Sequence, residues 1–308
     1  MSPRPTSLPK SLGELFATVI AALVLLASSI SAANSGQPSQ VTPLAQAHAH
    51  NDYEHDQPLM GALDRGFTSV ETDVWLVGGE LFVGHDRDGV VPGETLETLY
   101  LEPLAERVRA NGGSVYPGWE QGFHLLIDVK SDARPTYLAI HRTLRRYQAM
   151  MTRFSPEGVR GGAVTATISG NRDLGLMAQQ NVRYAAYDGR LSDLGSGVTP
   201  SLVPLISDSW AETFSWRGVG PMPDSERRKL RDIVAQAHAN GQRVRFWATS
   251  DLPIPARRSI RQEQLDAGVD YLDTDHPADL RHFLLNNDTT PSTPLVDWWG
   301  PAQEHRAR

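Results

Sequence analysis

Four short motifs hold most of the side chains able to do chemistry: His48-Ala49-His50-Asn51-Asp52, Glu71-Thr72-Asp73, Gly84-His85-Asp86 and Asp128-Val129-Lys130. In the first, second and fourth, two polar groups are separated by two positions, the interval that puts them on one face of a strand. If these strands share a mouth, Glu71, Asp73 and Asp128 form a cluster of three carboxylates. Two carboxylates about 4 Å apart repel by about 4 kcal/mol at an effective dielectric of about 20. Three therefore need a cation or protonation. An all-oxygen donor set suits a hard cation, Mg2+ or Ca2+, with water and substrate oxygens completing its shell. Lys130 adds a positive charge for a phosphate oxygen, which leaves His48, His50 and His85 to act as acid and base near neutral pH. Singly, each group has an ordinary reading: a strand-end carboxylate caps a helix or pairs at the surface, and a lone histidine packs. The combination is what points to metal-assisted acid–base chemistry.

Eight short apolar runs provide the strands that would carry these groups: 44–49, 68–74, 123–129, 163–168, 182–187, 202–206, 243–248 and 269–273. Segments with helical spacing of apolar residues separate most of them, at 59–65, 96–110, 137–151, 172–180, 225–239 and 258–267. Gly66, Gly241 and Gly268 stand just before strands, where a glycine ends a helix. Strands alternating with helices predict an α/β fold, a parallel (β/α)8 TIM barrel over 44–285, with active groups at the C-terminal ends of the strands. A doubly wound sheet is the other arrangement considered, but no G-x-G-x-x-G or phosphate-binding loop follows the first strand. The run Leu81 to Val83 reads as a hairpin-like excursion over the mouth.

The chain has 308 residues, no cysteine and a net charge of −7. The missing cysteines exclude disulfides, thiolate catalysis and cysteine-ligated metal sites. An acidic chain, with an isoelectric point near 5.8, lacks the basic face that nucleic-acid binding needs. Nothing in the sequence calls for an obligate protein partner. Residues 1–33 read as a secretory leader: Arg4 and Lys10, an apolar stretch from Phe16 to Ala27, then small residues ending at Ser31-Ala32-Ala33. The apolar part is short for a membrane span, so a cleaved signal and an exported protein are expected, with a retained N-terminal anchor as the alternative. Residues 34–43 then form a linker, and 286–308 a polar, proline-containing tail anchored by Trp298 and Trp299.

The succession H-A-H-N-D-Y, S-V-E-T-D-V-W-L, L-F-V-G-H-D and L-L-I-D-V-K resembles the glycerophosphodiester phosphodiesterase and phosphatidylinositol phospholipase C superfamily, in a branch that begins H-x-H-N-D-Y. The resemblance runs from about residue 47 to Leu284 and includes G-V-D-Y-L-D-T-D at 268–275; sphingomyelinase D-type members share the E-T-D-V form. It implies a metal-dependent phosphodiesterase with two catalytic histidines, acting on a small-molecule or lipid phosphodiester, with hydrolysis or cyclisation of the substrate both open. Glu71 and Asp73 match the metal positions, Asp128 the third acidic ligand and His85 the histidine of the H-D motif. The first-strand histidine is His48 when counted from the strand and His50 when counted back from Glu71. The H-R-G of glycerophosphodiesterases is absent, and with it that family's phosphate contact.

Trp247, ending the seventh strand, is a candidate for the substrate cleft. Asp273 and Asp275 flank the end of the eighth strand as secondary candidates, and Asp275 with His276 equally reads as a cap for the helix starting at Pro277. Asp188 and Arg190 read as turn residues after the fifth strand, and Tyr53 and Trp75 as neighbours of the motifs. A metal-dependent amidohydrolase also begins with His-x-His, but it needs histidines on the fifth and sixth strands that this chain lacks. An exported binding protein without activity is the third reading.

Overall fold

Eight parallel strands close into a barrel in the computed structural model, which describes Met1, residues 41–249 and residues 253–299. The expected leader 1–33, most of the linker 34–43 and the end of the tail lie outside the described residues. In chain order the strands are β1 (Leu44–Ala49), β2 (Phe67–Val77), β3 (Glu80–Val83), β4 (Phe123–Val129), β5 (Arg153–Ser155), β6 (Gly158–Arg160), β7 (Val164–Gly170), β8 (Ala185–Gly189), β9 (Leu205–Ser209), β10 (Arg243–Trp247) and β11 (Tyr271–Thr274). The barrel runs β1-β11-β10-β9-β8-β7-β4-β2, and the β1–β2 pairing shuts it. This is the TIM barrel expected from the alternating pattern.

Alternation along the strands sorts two kinds of residue. In β4, Phe123, Leu125, Ile127 and Val129 join the large apolar layer between barrel and helices, while His124, Leu126 and Asp128 belong to the other face. The helices Glu102–Ala110, Ala133–Arg146, Asp224–Ala239, Ile254–Ala267 and Pro277–Asn287 supply the outer half of that layer, through residues such as Leu104, Ile140, Val234, Ile260 and Leu280. Gly66, at φ 85°, precedes β2 where a Cβ would run into the Thr42 carbonyl, so the turn into the strand requires glycine. No described helix is long and apolar enough to cross a membrane.

Two departures from the sequence reading have physical causes. The fifth and sixth barrel strands occupy Ala185–Gly189 and Leu205–Ser209 rather than 182–187 and 202–206. Their ends, Asp188-Gly189 and Ser207-Asp208-Ser209, look unlike a strand because the face they give to the interior is polar. A hairpin of β5 and β6 was missed, being two strands of three residues each. Leu81 to Val83 does form the expected excursion, as β3 antiparallel to the end of β2.

The segment expected to be a tail closes the floor of the barrel. Trp298 is 6% exposed and packs with Leu126, Leu205 and Tyr271. Arg243 lies over its ring at 4.2 Å and bonds the Val296 carbonyl at 2.7 and 3.0 Å. Replacing Trp298 with Ala is expected to lower the unfolding free energy by about 3 kcal/mol or more through the cavity left under the barrel. A urea-denaturation midpoint equal to that of the parent would show that the floor is sealed without it.

Candidate active site

Strand register brings the acidic motifs level. Asp73 of β2 faces Asp128 of β4, and ligand atoms of Glu71, Asp73 and Asp128 lie within 4.8 Å of one another. Lys130 bridges the two aspartates from beside them, its Nζ 2.6 Å from Asp128 Oδ2 and 3.0 Å from Asp73 Oδ2. The same Asp73 oxygen accepts from Tyr53 Oη at 2.7 Å and lies 3.2 Å from His85 Nδ1. All these contacts fall on Oδ2 atoms. Asp73 Oδ1 and Asp128 Oδ1 are buried with no hydrogen-bond partner. Burial, then the charge of Glu71, pushes the Asp73 pKa up, and Lys130 offsets only part of this. Gly170, ending β7 at φ 67°, leaves room for Asp128: a Cβ there would collide with Asp128 Oδ1.

One level down, His48, Glu71 and Asp273 form a second group with metal-ligand spacing, all three buried. That group already holds a cation, the guanidinium of Arg245. Its Nη2 meets Glu71 Oε2 and lies 2.7 Å from Asp273 Oδ1, which Nε contacts at 2.8 Å. Burial alone would raise the Glu71 pKa, but Arg245, with help from the His48 hydrogen bond, holds it well below the carboxylate range. The upper group, with its two orphaned oxygens, is therefore the better match to a divalent ion. Five carboxylates converge here (Glu71, Asp73, Asp128, Asp273 and Asp275), with Lys130 and Arg245 among them and His50 on Asp275.

The two first-strand histidines are separated by depth. His48 is fully buried, with Nδ1 at 2.6 Å from Ser69 Oγ and Nε2 at 3.4 Å from Glu71 Oε2. Burial and then Arg245 lower its pKa. His50, just beyond β1, keeps 26% of its side chain exposed and contacts Asp275 Oδ1 through Nδ1 at 2.6 Å. Burial opposes its charge, but Asp273, Asp275 and Glu71 outweigh that and push its pKa up to about 10. Of the two readings open for Asp275, the structure bears out the strand-end one: it partners His50, and the helix Pro277–Asn287 begins with no side-chain cap bond.

Around the rim, Trp247 ends β10 with the Arg190 guanidinium 4.8 Å above its ring. Asp188, read as a turn residue, is fully buried inside β8 and accepts from Ser169, Ser207 and Arg190 at 2.6 to 2.8 Å. Arg190 thus reaches back into the barrel. In the H-x-H-N-D-Y motif, Asp52 is structural: buried, it accepts from the Leu59 amide and from Tyr100 Oη at 3.0 Å, and burial raises its pKa to about 6. This pins the loop that presents Tyr53. Arg245 escaped the sequence reading; its signal was the alternation Arg243, Arg245, Trp247 inside an otherwise apolar strand.

The fold and site together are those of a parallel (β/α)8 barrel with carboxylates and histidines gathered at the C-terminal mouth of its strands. The AIM6-like phosphodiesterase domain matches residues 37–188. Altered inheritance of mitochondria protein 6 of Eremothecium gossypii is 30% identical over 272 residues, covering 76% of this chain and 68% of that protein. A homologue in Arthroderma benhamiae is 28% identical over 252 residues, covering 74% and 80%. The chain belongs to this AIM6-like phosphodiesterase family. Among solved structures, a glycerophosphoryl diester phosphodiesterase from Parabacteroides distasonis aligns with a TM-score of 0.49 at 12% identity, over 86% of this chain and 92% of that one.

Removing the Arg245 cation should strand two buried carboxylates. Arg245→Met is expected to cost about 3–5 kcal/mol at neutral pH. In the parent, the depressed Glu71 pKa gives stability that is present above the ordinary glutamate value of 4.5 and lost as acid protonates the group. In the variant, Glu71 prefers to be neutral, so the deficit should shrink as pH falls below that value. Denaturation at a series of pH values reads this, and a deficit independent of pH would disprove the pairing.

Proposed function

We propose that this protein is an exported, divalent-cation-dependent phosphodiesterase that acts on a small-molecule or lipid phosphodiester of the glycerophosphodiester kind. The observation that carries the reading is the convergence of Glu71, Asp73 and Asp128, two of their buried oxygens unpartnered, beside His50 and His85 at one mouth. Membership of a phosphodiesterase family supports it, as does the leader-like character of residues 1–33.

Glu71, Asp73 and Asp128 would hold the cation. When bound there, a hard divalent ion polarises a non-bridging phosphoryl oxygen and offsets charge that develops on it. The other residues do the rest. Lys130 and Tyr53 orient the carboxylates by engaging their outer oxygens. His50 and His85 carry protons: one accepts from the attacking hydroxyl, the other donates to the leaving oxygen. His50 suits this better than His48, because Asp275 holds its Nδ1 and leaves Nε2 for substrate, whereas both ring nitrogens of His48 are engaged in the interior. Trp247, with the Asp188-paired Arg190 guanidinium over its ring, would offer an aromatic surface for the remainder of the substrate.

The test is hydrolysis of bis(p-nitrophenyl) phosphate and a panel of glycerophosphodiesters with EDTA, Mg2+, Ca2+ and Zn2+ compared. Turnover should vanish in EDTA, return with Mg2+ or Ca2+, and be absent from Glu71→Ala. His50→Asn and His85→Asn should each lower kcat by about 100-fold or more. Activity with Zn2+ alone, on amides or lactones, would replace this reading with the amidohydrolase.

A further inference from the structure

The loop after β1 holds a backbone shape that its residue types disfavour. Asn51 turns left-handed at φ 45°, which an asparagine tolerates. Leu59 has φ 60° and ψ −56°, a region that bulky side chains avoid. Around it the Met60 amide donates to the Pro58 carbonyl at 2.6 Å, a γ-turn of the strained, positive-φ kind. Strain of this sort persists only where the surroundings over-determine it. The Leu59 side chain is fully buried, and its amide donates to Asp52 Oδ2. Tyr100 Oη donates to the same oxygen at 3.0 Å, with Asp52 and Tyr100 both fully buried.

The neighbouring side chain shows what this fixed shape delivers. Asp52 and Tyr53 are consecutive in one turn, Asp52–Glu54. Asp52 enters the core, whereas Tyr53 Oη donates to Asp73 Oδ2 at 2.7 Å. Lys130 Nζ meets that oxygen too, at 3.0 Å, and Asp73 Oδ1 is buried without a partner. Tyr100 belongs to the segment between β3 and β4, near whose start stands His85. Asp52 therefore ties the loop after His50 to the segment after His85. It does so with an enclosed carboxylate whose Oδ1 has no hydrogen bond, an arrangement that costs desolvation. A neutral side chain would fill the space at less cost if the shape of the loop had no consequence.

We propose that Asp52 is a positioning residue: by gripping the Leu59 amide and Tyr100 Oη, it seats Tyr53 on Asp73 Oδ2 and leaves Asp73 Oδ1 for the cation. The final clause rests on the cation reading given above. Asp52 and Tyr100 act through Tyr53 and touch neither cation nor substrate. Outer partners that orient a ligating carboxylate typically alter cation affinity by about 10–100-fold.

Tyr100→Phe removes one hydroxyl and keeps the ring that fills the core. Calorimetry of the full chain with Mg2+ or Ca2+ alone should find binding weakened by about tenfold in this variant. Asp52→Ala should weaken it at least as much. Asp52→Asn, which keeps an acceptor oxygen for both donors, should restore most of the affinity. A double-mutant cycle tests the route. Added to Tyr53→Phe, the Tyr100→Phe change should weaken binding no further. Parent affinity in Tyr100→Phe, or losses that multiply in the pair, would overturn the proposal. Carbon-13 signals of the tyrosine ζ carbons, with Tyr53 assigned through Tyr53→Phe, give a readout that needs no cation. The Tyr53 signal should move in Tyr100→Phe, and an unmoved signal would reject the positioning role. If the parent binds neither ion and the signal still moves, the cation reading fails while the seating of Tyr53 by Asp52 stands.

Discussion

A guanidinium inside a closed barrel needs partners for its N–H groups and its charge, and Arg245 has both by lying between Glu71 and Asp273. Such a buried triad is weak evidence for net stability, because desolvation consumes most of the attraction. Its effect is on geometry. It ties β10 to β2 and β11 and fixes which oxygen of Glu71 is engaged from below. Asp73 and Asp128 lie above it, each with one buried oxygen unpartnered.

The interior is graded from floor to mouth by this requirement. At the floor, Trp298, Leu126, Leu205 and Tyr271 exclude water, and Arg243 is held by a carbonyl and by ring faces. Above them, polar but uncharged groups, Ser69, His124 and Thr167, satisfy one another. Apart from the Arg243 guanidinium held at the floor, full charges begin at Arg245 and Asp273, beside Glu71. A carboxylate placed among the uncharged groups would face a low dielectric with no solvent to share its charge. The order of layers is thus an electrostatic solution, and it puts the unbalanced carboxylates where a cation and a substrate can reach them.

Legibility from sequence followed the same gradient. The first four motifs were readable because strand parity, a period of two, is enough to place Glu71 beside Asp73 and Asp128 beside Lys130 on shared faces. The barrel was readable from apolar strands alternating with helices. Arg245 was not, and the roles of Asp188 and Asp275 stayed undecided, since each depends on partners distant in sequence: Glu71 for Arg245, Ser207 for Asp188 and His50 for Asp275. The fifth and sixth strands were displaced by about three residues because hydrophobicity marks the outward face, and their inward face is serine and aspartate. Trp298 looked like an anchor for a tail because nothing local reveals that the floor of a closed barrel lies open beneath it.

The clearest separation between parity and role is His48 against His50. They share a face and differ by two positions, about 7 Å along a strand. Sequence alternation gives them the same direction and says nothing of height. Height comes from closure: β1 pairs His48 with Ser69 on one side and Asp273 on the other, which sets it in the neutral layer. Two residues on, the strand has ended, Asp275 has arrived from β11, and the ring meets solvent. One motif therefore supplies a ring buried against a carboxylate and a ring partly open to solvent, and the tertiary fold sets the two apart.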